Sequence, residues 1–177
     1  MRVIQVPAQV LTTKAEMVTK FDSKLIKLVD ELIDTLMKAK DPEGVGLAAP
    51  QVGISKRIFV MNIHPESNRG GKYESFINPE IVEKAQDKAD KVLEGCLSIE
   101  NIWGYPERAS SIKLLYQDIK GHRQTRKFTG FPAVIVQHEV DHLQGSLFTH
   151  RVIQEGKELY RIDKDEHGES ELIPLEL

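Results

Sequence analysis

The 177-residue sequence has a mass of 20.0 kDa, so we expect one domain over residues 1–177. Its 24 basic and 27 acidic residues give a net charge of −3, which provides no sequence-wide basic surface for nucleic acid or an anionic membrane. The single cysteine, Cys96, excludes an intramolecular disulfide framework and a four-cysteine zinc site. The sequence shows no signal peptide, transit peptide or membrane-spanning apolar run, and it therefore predicts a soluble, cytoplasmic protein.

The first predicted elements are an irregular arm over residues 1–22 and an amphipathic helix over residues 23–40. Asp22 or Ser23 can cap the start of this helix, and Pro42 follows its end. Apolar residues recur in the helix at a spacing that predicts one core-facing side, namely Leu25, Leu28, Val29, Leu32 and Leu36.

The middle of the chain is rich in strand-like segments. Residues 57–63 have the composition of a buried strand, and residues 73–93 predict one or two further strands. Residues 111–117 and 122–128 flank a short turn that contains Gly121, which predicts a β-hairpin. Because polar and basic residues alternate in its second strand, we expect one face of that strand to be solvated.

A second helix is predicted over residues 131–144. Pro132 suits its first turn, where a backbone N–H has no helical partner, and Gly145 suits its end. The strand-like runs Leu159–Ile162 and Leu172–Leu175 then predict a C-terminal β-hairpin. A few strands with two unequal helices, without regular βαβ alternation, indicate an α+β fold.

The second helix carries an H-E-x-x-H motif. His138 and His142 are four residues apart, so their rings project from one face of the helix and can bind one metal ion. Glu139 is adjacent, where its carboxylate can reach a water molecule on that metal. The apolar flanks predict that the helix is buried, so Asp141 needs a partner of its own, for which Arg108 is a candidate.

A catalytic metal site needs a third protein ligand. A long metalloprotease motif would place a histidine at position 148, but Phe148 occupies it. Glu155 and Glu158 lie downstream and remain open as alternatives. We favour Cys96, because Gly95 before it permits close approach of the backbone and a lone thiol beside two histidines is a good metal ligand.

A third informative segment, Gly44–Gln51, imitates a dinucleotide-binding fingerprint. The context contradicts that interpretation, since such a loop follows a strand and opens a helix, whereas this one follows a helix and contains Pro50. Its small residues instead indicate a backbone that passes close to a ligand, with Gln51 as a neutral hydrogen-bond donor.

These three segments together resemble the peptide deformylase family. The family motifs G-x-G-x-A-A-x-Q, E-G-C-x-S and Q-H-E-x-D-H match at Gly44–Gln51, Glu94–Ser98 and Gln137–His142, in the family's order. The resemblance implies a single deformylase-like catalytic domain. It also implies antiparallel sheets around a central buried helix that carries the H-E-x-x-H motif, with an N-terminal amphipathic helix and a C-terminal β-hairpin.

The activity that the resemblance implies is removal of the N-formyl group from the formyl-methionine of newly made polypeptides, with release of formate. One divalent metal ion per chain would be held by three ligands, Cys96, His138 and His142, with water in the fourth position. Glu139 would be the general acid and base, while the Gln51 side chain and the Leu97 backbone N–H would stabilise the oxyanion. Family members use ferrous iron in the cell, and zinc, nickel or cobalt can substitute.

The resemblance also concerns the substrate and partners. The unbranched methionine side chain suits an apolar pocket, and the extended substrate would pair with the protein backbone. The expected substrate-binding residues are Val45, Gly46, Gly95, Phe131, Val134 and Ile135. The implied partners are nascent formyl-Met polypeptides and, transiently, the ribosome, without direct recognition of nucleic acid or membrane.

Two segments depart from the family pattern. Members of the commonest bacterial type end in a long helix that resembles a ribosome-docking element, whereas this chain is predicted to end in a hairpin, which puts that docking mode in question. The stretch from Ile99 to Pro106 is expected to be a loop of this chain's own. Within it, Trp103 and Tyr105 either wall the substrate cleft or cover the core.

Two other functions are compatible with an H-E-x-x-H helix. A zinc endopeptidase would draw its third ligand from downstream, so that Cys96→Ser would leave the metal content intact. A non-enzymatic module with a structural metal would need a fourth protein ligand.

Overall fold

The computed structural model describes residues 1–40, 43–65, 71–164 and 170–176. Within these ranges the chain forms three α-helices, α1 (Ser23–Lys38), α2 (Gly130–Leu143) and α3 (Phe148–Gln154). The β-strands in the same ranges are β1 (Gly46–Ala48), β2 (Ile58–Asn62), β3 (Tyr73–Lys84), β4 (Glu94–Cys96), β5 (Ile99–Gly104), β6 (Ser111–Gln117), β7 (Arg123–Thr129), β8 (Leu159–Lys164) and β9 (Ser170–Pro174).

The strands form two antiparallel sheets. The larger sheet has the order β1-β2-β3-β6-β7, and the smaller sheet has the order β4-β5-β8-β9. Helix α2 packs on β1, β2, β6 and β7, while α3 packs on β4, β5 and β8. Because Cys96 of β4 contacts His142 of α2, the central helix lies where the two sheets meet. The predicted α+β fold with a central motif-bearing helix is confirmed.

Helix α1 forms as its sequence pattern predicts. The Asp22 side chain caps it by accepting hydrogen bonds from the backbone N–H groups of Lys24 and Leu25, at 3.0 and 3.2 Å. Its buried side faces β1 and β2, with Leu32 and Leu36 almost completely excluded from solvent. The residues expected to stop it, Asp41 and Pro42, lie outside the described ranges.

Helix α2 is buried on nearly every side. Its apolar residues pack into the core between the helix and the larger sheet, together with Phe59, Phe76 and Phe128. Five polar or charged residues of the same helix are buried as well or nearly so: Gln137, His138, Glu139, Asp141 and His142. Burying polar groups without partners is costly, and the partners of His138 and Asp141 come from other elements.

The segment after Ser98 differs from expectation. It forms strand β5 instead of a loop, and β5 pairs with β4 through Cys96 and Ile99, which leaves Leu97 and Ser98 as a two-residue turn. The alternation of apolar and polar residues is poor in this segment, since Glu100 and Asn101 are both exposed. Pairing with β4 and β8, which sequence patterning does not register, stabilises the strand.

Helix α3 was not predicted, because a seven-residue helix with only Phe148 and Val152 buried has too short an apolar stripe to be recognised. The N-terminal arm is irregular as expected apart from a 3₁₀ turn over Gln9–Thr12, which buries Leu11. Residues 73–84 form one strand, and a bulge after Ile77 carries it past Pro79.

The predicted C-terminal hairpin is present. Strands β8 and β9 pair in an antiparallel register that places Ile162 opposite Leu172, and the residues of the connecting turn lie outside the described ranges. In the part of the chain that is described, none of the helices combines the length and the apolar character that crossing a bilayer requires.

Candidate active site

Three potential metal ligands converge where α2 meets β4. The sulfur of Cys96 and the ring nitrogens of His138 and His142 all lie within 4.8 Å of one another, and Cys96 Sγ is 3.3 Å from His142 Nε2. The two histidines are one helical turn apart, with ring centroids separated by 5.0 Å. A thiolate and two imidazoles at these separations fit one divalent ion bound at about 2.0–2.3 Å from each ligand.

A carboxylate behind the ligands fixes the orientation of one imidazole. Glu94 Oε2 lies 2.8 Å from His138 Nδ1, so Nδ1 donates to the carboxylate and Nε2 is left facing the other two ligands. Arg108 holds Glu94 in turn with two parallel hydrogen bonds, from Nε to Oε1 at 2.7 Å and from Nη2 to Oε2 at 2.8 Å. This bidentate geometry restricts both side chains.

The same arginine reaches the second acid of the motif helix. Arg108 Nη1 donates to Asp141 Oδ2 at 2.6 Å, which confirms the partner predicted for Asp141. Arg151 of α3 adds two more hydrogen bonds, to Oδ2 at 2.5 Å and to Oδ1 at 2.6 Å. Sequence patterning gave no indication of Arg151, because it lies on the unpredicted helix.

These partners shift the titration of the buried groups. Burial alone would raise the pKa of Glu94, but hydrogen bonds from Arg108 and His138 lower that pKa to about 2. Burial would likewise raise the pKa of the Cys96 thiol, but the adjacent His142 and His138 lower it to about 5. Both groups are therefore anionic at neutral pH, as metal coordination and the support of a ligand require.

Glu139 has a different environment. Its side chain is 3% exposed, and its Oε2 has no hydrogen-bond partner among the described residues. Burial raises its pKa to about 7. A Cβ atom at Gly46 would overlap the Glu139 carboxylate, so only glycine allows β1 to pass this close. A buried carboxyl group with an unused oxygen and a pKa near neutrality is suited to proton transfer.

Gln51 points its amide nitrogen at the ligand set. Its Oε1 accepts from the Ala48 N–H at 2.9 Å, which fixes the amide orientation. Its Nε2 lies 3.4 Å from Cys96 Sγ and 3.2 Å from Ser98 Oγ. The side chain is thus held as a donor beside the three ligand atoms, the position for which the sequence predicts a neutral donor.

A cavity of about 190 Å³ opens in front of these groups. Its lining includes all six of the expected substrate-binding residues, Val45, Gly46, Gly95, Phe131, Val134 and Ile135. Leu97 and Trp103 line it as well, and the Trp103 ring lies against Gly95, where a Cβ would approach Trp103 Cζ3 to 2.7 Å. Tyr105 is not part of this lining and packs edge-on against Tyr160, with 6.0 Å between the ring centroids. Of the two aromatic residues considered as cleft walls, Trp103 is therefore the one that borders the cavity.

The downstream alternatives for the third ligand lie away from this cavity. Glu155 accepts hydrogen bonds from the Glu107 backbone N–H, and Glu158 accepts one from the Tyr160 hydroxyl. Phe148, at the position of a protease's third histidine, stacks on His138 with 6.0 Å between ring centroids.

The geometry first defines the class of protein. A cysteine and two histidines with converging ligand atoms, beside a buried carboxyl group and a donor amide, form the site of a metal-dependent hydrolase. The cavity in front of them has a mostly apolar lining.

Comparison with known proteins identifies the family. The sequence model of the polypeptide deformylase family matches residues 1–158, and the chain belongs to that family. It is 43% identical over 151 residues to peptide deformylase 1 of Bacillus subtilis strain 168, a match that covers 85% of this chain and 89% of that protein. A peptide deformylase of Heliobacterium modesticaldum is 41% identical over 149 residues, covering 84% and 91% of the two chains.

Solved structures agree with the sequence relatives. The peptide deformylase of Thermotoga maritima superposes with a TM-score of 0.74 at 40% identity, covering 85% of this chain and 95% of that one. The enzyme from Plasmodium falciparum gives a TM-score of 0.77 at 40% identity, covering 85% of each chain. The predicted family and its hydrolase activity, removal of N-formyl groups from nascent polypeptides, are confirmed, and the endopeptidase and structural-metal alternatives are set aside.

Proposed function

We propose that residues 1–177 act as one catalytic domain in which Cys96, His138 and His142 hold a single divalent metal ion. The observation that carries the proposal is the convergence of these three ligand atoms within 4.8 Å, beside the buried Glu139 carboxyl group. When bound, such an ion lowers the pKa of a coordinated water and polarises the formyl carbonyl group. We propose ferrous iron as the ion in the cell, with zinc, nickel or cobalt as substitutes, since this donor set suits each of them.

Glu139 is the proposed general base and general acid. Its unused Oε2 takes a proton from the attacking water and later delivers that proton to the leaving α-amine of methionine. The rise of its pKa to about 7 supports both steps, because a group that titrates near the working pH accepts and donates protons with similar ease.

Gln51 and Leu97 are the proposed oxyanion-stabilising groups. Gln51 Nε2 is fixed as a donor by the Ala48 hydrogen bond, and the Leu97 N–H belongs to the two-residue turn that follows Cys96. Charge develops on the formyl oxygen only in the transition state, so two positioned neutral donors lower the barrier more than they strengthen substrate binding.

The substrate occupies the apolar cavity in an extended conformation. We propose that the methionine side chain packs on Phe131, Val134 and Ile135 of α2, while the backbones of Val45, Gly46 and Gly95 pair with the peptide. Trp103 packs against Gly95 and lines the same cavity. Because nascent formyl-Met polypeptides emerge from ribosomes, the proposed place of action is the cytoplasm, with transient ribosome contact.

The test is formate release from a formyl-Met peptide by iron-loaded or nickel-loaded protein under anaerobic conditions. We expect formate from the wild-type protein, and loss of both bound metal and activity in Cys96→Ser, since a hydroxyl group is a poor ligand where a thiolate is required. Glu158→Gln is the matched control at the rejected downstream position, with metal content and activity unchanged. Full metal content in Cys96→Ser would disprove the proposed ligand set.

A further inference from the structure

The N-terminal arm contacts both segments that carry the proposed oxyanion groups. The Ile4 N–H donates to the Gln51 carbonyl oxygen at 2.8 Å, and the Val6 N–H donates to the Ser98 carbonyl oxygen at 3.1 Å. Between them, Gln5 Nε2 donates to the Leu97 carbonyl oxygen at 2.9 Å. Three consecutive arm residues therefore bridge the Gln51 segment and the Leu97–Ser98 turn, which are far apart in sequence.

Neither of these two segments is held by a long regular element. Gln51 lies in a four-residue 3₁₀ turn, and Leu97 and Ser98 are the two central residues between β4 and β5. The turn is only two residues long, so hydrogen bonds from outside it restrict the position and tilt of its peptide units. The Leu97 carbonyl oxygen belongs to the peptide between the two central residues and accepts from Gln5.

We propose that residues 4–6 are a positioning element for the oxyanion groups and that Gln5, through its hydrogen bond to the Leu97 carbonyl oxygen, holds the Leu97–Ser98 turn in place relative to Gln51. This inference rests on the proposed role of the Leu97 N–H. Because the peptide units on either side of Leu97 are planar and share its α-carbon, a turn that shifts or tilts as a body moves the Leu97 N–H with it. Gln5 touches no reacting atom and acts through Leu97.

Ser98 links the arm to the second oxyanion group. Its carbonyl oxygen accepts from Val6, and its hydroxyl accepts from Gln51 Nε2 at 3.2 Å. A displaced turn would therefore disturb a partner of Gln51 as well as the position of the Leu97 N–H. Ser98 is completely buried, so water cannot replace a lost contact there without a larger rearrangement.

The experiment compares three variants on one arm. Gln5→Met keeps the length of the side chain and removes its donor, Gln5→Lys restores a donor, and Gln9→Met is the same chemical change at an exposed arm position. We expect kcat for a formyl-Met peptide to fall about fivefold in Gln5→Met with KM unchanged, the size expected for one hydrogen bond that acts in the transition state. Gln5→Lys should recover most of the loss, and Gln9→Met should match the wild-type protein.

A second measurement observes the turn itself. In the zinc-loaded, diamagnetic protein, the amide NMR signals of Leu97 and Ser98 should shift or double in Gln5→Met and stay in place in Gln9→Met. If the signals do not change, Gln5 does not hold the turn in place and the inference is wrong. If they change while kcat is unaffected, the inference is also wrong, and the fault lies in the role proposed for Leu97. Absence of formate release by the wild-type protein would instead count against the proposed function alone.

Discussion

The two long helices of the molecule, α1 and α2, differ in how much of their surface is buried and in which side chains they bury. Helix α1 buries one face against β1 and β2 and leaves Ile26 and Met37 about half exposed on the other. Helix α2 is surrounded, and its buried polar side chains depend on partners from β4, the segment before β6, and α3. Helix α1 is therefore stabilised mainly by apolar packing, whereas α2 depends on a network of charges that also orients its functional groups.

The greatest loss of activity is expected from a change on α2 that removes the proposed proton-transfer group. Glu139→Gln on α2 should lower kcat about 10³-fold while the metal content stays at the wild-type level, because the amide fits the same space but cannot transfer a proton. The measurements are formate release and bound metal. The matched change on α1, Glu31→Gln, should leave activity unaltered. Substantial activity in Glu139→Gln would show that another group moves the proton.

The next largest effect, a loss of stability, is expected at the buried ion pairs of Arg108 with Glu94 and Asp141. Arg108→Met should destabilise the fold by about 3–5 kcal/mol, because it leaves the carboxylates of Glu94 and Asp141 buried without their shared partner. Denaturant titration of the free energy of unfolding measures this loss.

Lys27→Met is the corresponding change on α1, where Lys27 and Glu31 form an exposed pair at 3.8 Å. It should cost less than about 0.5 kcal/mol. Equal losses in the two variants would contradict the distinction between the helices.

The pH dependence of stability separates the two helices in another way. The folded-state pKa of Glu94 is about 2, below its usual value of 4.5, so the stability it contributes is complete above pH 4.5 and is lost as the pH falls towards 2. Over that interval the contribution amounts to about 3 kcal/mol. The difference in unfolding free energy between wild type and Glu94→Gln should therefore shrink as the pH falls from 4.5 to 2.

Leu32→Ala on α1 is the control for this experiment. The loss of a completely buried leucine should lower the unfolding free energy by about 3 kcal/mol at every pH, because no titrating group is involved. A constant penalty for Glu94→Gln down to pH 2 would show that its ion pair does not depress the pKa as described.

The smallest expected effect concerns the starts of the helices. Asp22→Ala should cost about 1 kcal/mol, since it removes the side-chain cap of α1. Thr129 precedes α2 without making a side-chain cap bond, so Thr129→Ala should change thermal stability very little. A larger loss of thermal stability in Thr129→Ala than in Asp22→Ala would contradict the assignment of a side-chain cap to α1 and not to α2.

Sequence-based prediction succeeded for features that depend on neighbouring residues and failed for features that depend on distant contacts. The limits of α1, its Asp22 cap and its apolar side follow from residues within one segment, and so does the spacing of His138 and His142. Strand β5 and helix α3 were missed because contacts between distant segments stabilise them. Arg151 was missed with α3, although a buried Asp141 already required positive partners.

The motif residues, the family resemblance and the amphipathic helix could be predicted from the sequence, because each depends on local spacing and residue type. The contact of Cys96 with the two histidines, and the way in which Glu94, Arg108 and Arg151 neutralise the buried motif, became visible in the folded chain. The arm contacts to Gln51 and Leu97 belong to the same category. Most of these contacts join segments that are 40 or more residues apart along the chain. A local sequence pattern does not show which distant group will pair with a buried polar side chain.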